Sequence, residues 1–131
     1  MVANLMFGRV LDELPDLKIC AAHGGGFAPY QIGRLEHGYR GRSERRALTK
    51  TPPGQLLSRL FFDTPILNPL ALRYLVDPVG REQVALGTDA SFYIGDEDPL
   101  QTVGDIPSFT PEEQKAILAD TATRLLSEEA V

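Results

Sequence analysis

Three short apolar runs, each closed by a polar residue and each followed by helical patterning, constrain this chain more than anything else in it. They are Leu17-Lys-Ile-Cys-Ala-Ala22 before His23, Leu60-Phe-Phe-Asp63, and Val84-Ala-Leu-Gly-Thr-Asp89. Short apolar runs bounded by turn residues read as buried strands. Strands that alternate with helices build β/α units and a parallel sheet. In such folds the carboxyl ends of the strands form one rim, and ligands bind there. His23, Asp63 and Asp89 are therefore expected on the same rim.

The helices between the strands carry their own signals. Val2, Leu5, Met6 and Val10 form a helical stripe across Val2–Glu13, stopped by Pro15. Pro29 opens a helix to about Arg42, with Tyr30, Ile32, Gly33 and Leu35 toward its inner side. Thr51-Pro-Pro53 reads as a loop leading through Leu56 and Leu57 into the second strand. Asn68 as N-cap and Pro69 at the first helical position start a helix over Leu70–Val76. A loop rich in Gly and Asp follows the third strand. Thr110-Pro-Glu-Glu113 is a capping box opening a helix to Ala119, and Asp120 is placed to cap a last helix through Leu126. Cys20 has the opposite strand parity from His23 and is expected to be a small buried apolar residue.

Composition narrows the classes. The 131 residues are 43% hydrophobic and 24% charged, one domain's worth of core and too apolar for a disordered chain. Lys and Arg number 13 against 18 Asp and Glu, a formal charge of -5, which argues against general nucleic-acid binding. The charge is uneven. From Arg34 to Lys50 there are six basic residues against Glu36 and Glu44; from Asp89 to Val131 there are ten acidic residues against Lys115 and Arg124. These read as solvated faces, or as a basic arm meeting an anionic substrate or a partner subunit. No apolar run approaches the roughly 20 residues that span a bilayer, and the start lacks signal-peptide features. A single cysteine excludes an internal disulfide and fits a reducing, cytoplasmic location. With two histidines and one cysteine, metal chemistry must lean on carboxylates, because catalytic zinc takes three protein ligands.

His23-Gly-Gly-Gly26 is comparable to the oxyanion loop of lipases, but no Gly-x-Ser-x-Gly nucleophile turn accompanies it. A dinucleotide fingerprint fails too, since Pro29 stands where its last glycine belongs. What remains is a strand-end histidine with glycines that let backbone or ligand approach, or a histidine that only caps a turn. Asp89 ends a buried strand, where a carboxylate needs a cation, a metal or donors; it also suits a helix cap or loop. Asp63 before Thr64-Pro65 reads more readily as a loop residue. Arg34, on the following helix, defaults to a surface arginine.

Taken together, these pieces carry a resemblance. His23-Gly-Gly-Gly-Phe-Ala-Pro-Tyr-Gln-Ile-Gly-Arg34-Leu-Glu-His-Gly38, preceded by Leu14-Pro-Asp-Leu-Lys18 and followed by Phe61-Phe-Asp-Thr64 and Leu86-Gly-Thr-Asp89, resembles the amidohydrolase-2 family in its aminocarboxymuconate-semialdehyde-decarboxylase-like branch. It runs from about Met6 to Leu126. The resemblance implies a (β/α)8 barrel with one divalent metal, usually zinc, at the carboxyl rim. Asp89 matches the family's metal-ligating aspartate and His23 its catalytic acid/base. Arg34 matches an arginine that reaches a substrate carboxylate from a neighbouring subunit, a task suited to a planar guanidinium fork. No role is implied for His37. In that chemistry the metal polarises a substrate oxygen or generates hydroxide, and the histidine transfers the proton.

The departures are equally specific. The family's His-x-His on the first strand and the histidine of the fifth have no counterpart here. Ala90-Ser91 replaces Tyr-Pro, and Asp120-Thr121 replaces Gly-Asn. A barrel takes at least about 200 residues. The resemblance therefore implies that the chain corresponds to the family's strands six to eight, a single partial domain over 1–131. The reaction implied is non-oxidative decarboxylation of a small unsaturated or aromatic carboxylic acid, without an organic cofactor. A metal-dependent hydrolase of a lactone, ester or amide, and a non-catalytic remnant or interaction module, are the alternatives. Expected partners are a small anionic substrate and either a second copy or the missing N-terminal barrel segment, with no nucleic acid and no membrane. Alone, the chain is expected to bind divalent metal weakly or not at all, and to be inactive.

Overall fold

The computed structural model describes residues 1–127, apart from the side chain of Arg45. Glu128 and Glu129 of the acidic stretch lie outside the described residues. Three parallel strands form one sheet in the order β1 (Cys20–Ala21), β2 (Phe61–Asp63), β3 (Val84–Ala85). Ala21 aligns with Phe62, and Phe62 with Val84. All three are fully buried. Side chains alternate between sheet faces, so Cys20, Phe61, Asp63 and Ala85 share the opposite face.

Both outer strands are shorter than their apolar runs. Beyond Ala85, the Leu86 N–H donates to the Ile117 carbonyl at 2.8 Å, and the third run leaves the ladder. The Thr64 hydroxyl then takes over from the strand backbone, accepting the Gly87 N–H and donating to the Gly87 carbonyl, both at 3.1 Å. At the other edge, Phe61 N–H still bonds the Ile19 carbonyl, but Lys18 has turned its ammonium to the carbonyls of Arg124, Leu125 and Ser127. Cys20 is exposed rather than buried, because it lies on the less covered face of an edge strand.

The helices correct several expectations. The first stripe divides into α1 (Val2–Phe7) and α2 (Val10–Glu13) at Gly8 and Arg9, the latter in the left-handed region at φ 65°. A Cβ on Gly8 would stand 2.5 Å from the Asn4 carbonyl oxygen, so the closing turn of α1 needs glycine. Val2, Met6 and Leu11 nevertheless bury as one stripe. The helix expected from Pro29 is α3 (Phe27–Tyr30) and α4 (Ile32–Gly41), offset at Gln31. Tyr30 and Gly33 are exposed, not inward. Tyr30 stacks on Tyr74 with centroids 4.8 Å apart, and Ile32 and Leu35 supply the packing. After α5 (Ser43–Leu48), the expected loop at Pro53 is α6 (Pro53–Leu57), whose Leu56 and Leu57 enter the core.

Helix α7 (Pro69–Val79) starts as read, with Asn68 accepting the Ala71 N–H at 3.0 Å, but continues three residues past Val76 and through Pro78. The loop after the third strand contains α8 (Pro99–Gly104), capped by Asp98. The capping box at Thr110 and Glu113 opens α9 (Pro111–Lys115), with both reciprocal bonds present. A π-helical turn over Ala116–Asp120 leads without interruption into α10 (Thr121–Leu126). Asp120 therefore caps nothing; its carboxylate meets the Lys115 ammonium at 2.6 Å. π-turns rearrange the helical hydrogen-bond ladder, and here Ile117 sits in one with its carbonyl bonded to Leu86. No helix among the described residues is long and apolar enough to cross a membrane.

Candidate functional site at the carboxyl rim of the sheet

The rim begins where β1 ends. His23 has φ 54°, and Gly24, Gly25 and Gly26 have φ 58°, 72° and 59°, four consecutive residues on the left-handed side. L side chains adopt that region at a cost, which is why glycine fills three of the four places. Space demands it as well. A Cβ on Gly24 would come within 2.5 Å of the Ile66 side chain, and one on Gly25 within 2.6 Å of the Phe62 ring. Gly25 and Gly26 donate to the Ala22 and His23 carbonyls, and the chain turns directly into α3.

The other strand ends are strained in the same way. Leu67, four residues after β2, has φ 55°; Asp89, four after β3, has φ 52°. Clusters of non-glycine residues in this region mark sites that the surrounding structure holds in place. Asp89 is held by the short loop it opens, which closes where Asp96 N–H donates to the Thr88 carbonyl at 2.8 Å.

The structure brings His23 and Asp89 together. His23 Nε2 lies 3.3 Å from Asp89 Oδ2, with side chains 59% and 20% exposed. Asp63 reaches the same place by another route, its Oδ1 accepting the Gly24 N–H at 3.1 Å. All three strand-end residues thus converge on one rim. Arg34 does not join them. It lies exposed on α4 in a groove with Phe7, Phe27, Gln31, Leu35 and His37, while His23 lines a neighbouring groove with Ala22, Gly25 and Gly26. The Arg34 side chain has no hydrogen bond or ion pair among the described residues.

A histidine beside a partly buried carboxylate can hold a proton and pass it on. The cysteine is not suited to nucleophilic work. Desolvation first, and the Asp63 carboxylate second, push its thiol above the usual range and keep it protonated. Among the described residues no three His, Cys, Asp or Glu side chains gather into a group that fits a metal, and His23 with Asp89 makes two donors where a catalytic site takes three. Sequence reasoning undervalued Asp63, whose bond to Gly24 spans 39 residues. Its place at the end of the middle run was the signal.

Parallel β/α units with polar residues gathered at the carboxyl rim are the arrangement of TIM barrels and other parallel α/β folds. The chain belongs to the amidohydrolase family, whose sequence profile matches residues 2–127. It is 34% identical over 126 residues to a 2-amino-3-carboxymuconate-6-semialdehyde decarboxylase of Dictyostelium discoideum, covering 95% of this chain and 35% of that protein. A Caenorhabditis elegans decarboxylase of the same name is 32% identical over 126 residues, covering 95% and 31%. The chain therefore spans about a third of the length of the curated relatives it matches. Among solved structures, the apo IDCase of Metarhizium anisopliae superposes with a TM-score of 0.82 at 24% identity, over 99% of this chain and 39% of that one. A dihydroxybenzoic acid decarboxylase of Polaromonas sp. JS666, with bound manganese and 2-nitroresorcinol, gives 0.82 at 20% identity, over 95% and 38%. At these identities the two likenesses show the fold alone.

Proposed function

We propose that this chain is one partial domain, strands six to eight, of a cytoplasmic (β/α)8 decarboxylase, and that it supplies the proton-moving side of the site. The observation that carries the reading is the His23–Asp89 pair, 3.3 Å apart at the rim. The decarboxylases among its relatives support the reaction, and their substrates support a small unsaturated or aromatic carboxylic acid.

In the reaction, the bond between the carboxylate and its carbon breaks and carbon dioxide leaves. The electron pair stays on that carbon, which takes a proton from the His23 imidazolium. Asp89, 3.3 Å from Nε2, orients the imidazole. Arg34 holds a substrate carboxylate with its guanidinium fork. Because Arg34 and His23 line different grooves of one chain, we assign Arg34 to the site of a second copy, making the working unit a dimer. The two donors described here do not complete a metal site. A divalent ion, zinc by the family resemblance or manganese as in the Polaromonas enzyme, would take Asp89 as one ligand and its others from barrel strands outside this chain.

The test is carbon dioxide release by a chimera in which this chain replaces the matching third of the Dictyostelium relative, assayed on muconate semialdehyde and hydroxybenzoate carboxylates. Release is expected, falling at least about 100-fold in His23→Asn. In Arg34→Gln, KM should rise more than kcat falls. The 131-residue chain alone is expected to release none. A carboxylic acid product from a lactone or ester without carbon dioxide would establish the hydrolase instead. A folded chimera with no product from any substrate would mark a remnant.

A further inference from the structure

His23 and Asp89 come from strands that do not touch each other. The sheet order places β2 between β1 and β3, so their backbones are about 9.5 Å apart, two strand spacings. Each of the two residues lies beyond the end of its strand, on a backbone held at φ 54° or 52°. The two residues at that end face opposite ways. Asp63 Oδ1 accepts the Gly24 N–H at 3.1 Å, next to His23. The fully buried Thr64 clasps both backbone groups of Gly87, two residues before Asp89. Gly87 also packs on Asp63 itself, where a Cβ would come within 2.9 Å of the Asp63 Cβ. Asp63 is thus wedged between the turn that carries His23 and the segment that carries Asp89.

We propose that Asp63 is a positioning residue: through the Gly24 N–H it fixes the turn that holds His23 against Asp89, while Thr64 fixes the Asp89 side. Its consequence for catalysis rests on the role proposed for His23; the geometric assignment does not. A carboxylate is not essential for the task, since the neutral side-chain oxygen of asparagine also accepts an N–H. This separates the assignment from any charge effect of Asp63 on the site.

The chain has two histidines, so its side-chain nitrogen spectrum has one probe at the rim, His23, and one internal control, His37. We would record long-range 1H–15N spectra of the 15N-histidine-labelled chain at one pH. Asp89→Ala should move the His23 nitrogens to the position of an unpaired imidazole. Asp63→Ala should move them the same way, Asp63→Asn should leave them at the wild-type position, and His37 should stay fixed throughout. Wild-type His23 signals in Asp63→Ala would overturn the proposal. If Asp63→Ala displaces His37 as well, the unmodified chain decides. Its Gly24 amide should exchange at least about tenfold more slowly than an unstructured glycine amide, and unprotected exchange would overturn the proposal. None of these readings uses decarboxylation, so their failure and that of the proposed reaction are separable.

Discussion

The two faces of the same three strands behave as different materials. On one, Ala21, Phe62 and Val84 line up across the sheet and each is 0% exposed. On the other, Cys20 is open to solvent, Asp63 is half-buried and works as an acceptor, and only Phe61 and Ala85 are buried. One residue of register separates a side chain that holds the fold from one that serves the rim. Stability and chemistry are divided by parity, and that division can be attacked from both sides.

The largest expected effect is on the buried face. Phe62→Ala removes the aromatic centre of the core and should cost about 3–5 kcal/mol in denaturant unfolding. A loss below about 1 kcal/mol would mean that the face is not a packed core. Gly25→Ala strikes the point where core meets rim, since its Cβ would collide with the Phe62 ring at a residue of φ 72°. It should cost about 2–3 kcal/mol by overpacking and backbone strain together.

Next comes acid. The Thr49 and Thr51 hydroxyls, then the Lys50 N–H, hold the Asp12 carboxyl below its ordinary value; the Thr110 N–H, then Arg73, do the same for Glu113. Folded values below the unfolded ones mean stabilisation that is complete above the ordinary carboxylate range and drains as pH falls through the lowered values. Wild type should therefore lose more stability between pH 6 and pH 3 than the Asp12→Asn, Glu113→Gln double variant, as read from urea midpoints. The smallest effect belongs to the open face: Cys20→Ser should stay within about 0.5 kcal/mol. A large loss there would erase the contrast between the faces.

Much of this was readable in advance, for physical reasons. Asn68 and the Thr110–Glu113 box are local signals, decided within four residues, and both caps form as read. Strand–helix alternation is a pattern over the whole chain, and it delivers the parallel sheet. What resisted reading depends on distant partners. The third run looked like six residues of strand, yet its ladder stops at Ala85 because the Ile117 carbonyl, 31 positions on, captures the next N–H. Cys20 followed strand parity but could not announce that its face lacked a cover. Asp98-Pro99 carried a cap signal as good as Asn68-Pro69, in a segment read as loop. At the rim, the convergence of His23, Asp63 and Asp89 followed from strand direction alone. The 3.3 Å pairing needed the left-handed turns, which sequence suggests only through the three glycines.

The central claim is that this chain carries the proton-moving part of a site whose metal ligands lie mostly elsewhere. Calorimetric titration of the 131-residue chain with zinc and with manganese, beside Asp89→Ala, tests it most directly. With two donors at the rim, no binding tighter than about 1 µM is expected for either ion. Tight stoichiometric binding that Asp89→Ala abolishes would contradict the claim, showing that the chain or its assembly builds a complete metal site by itself.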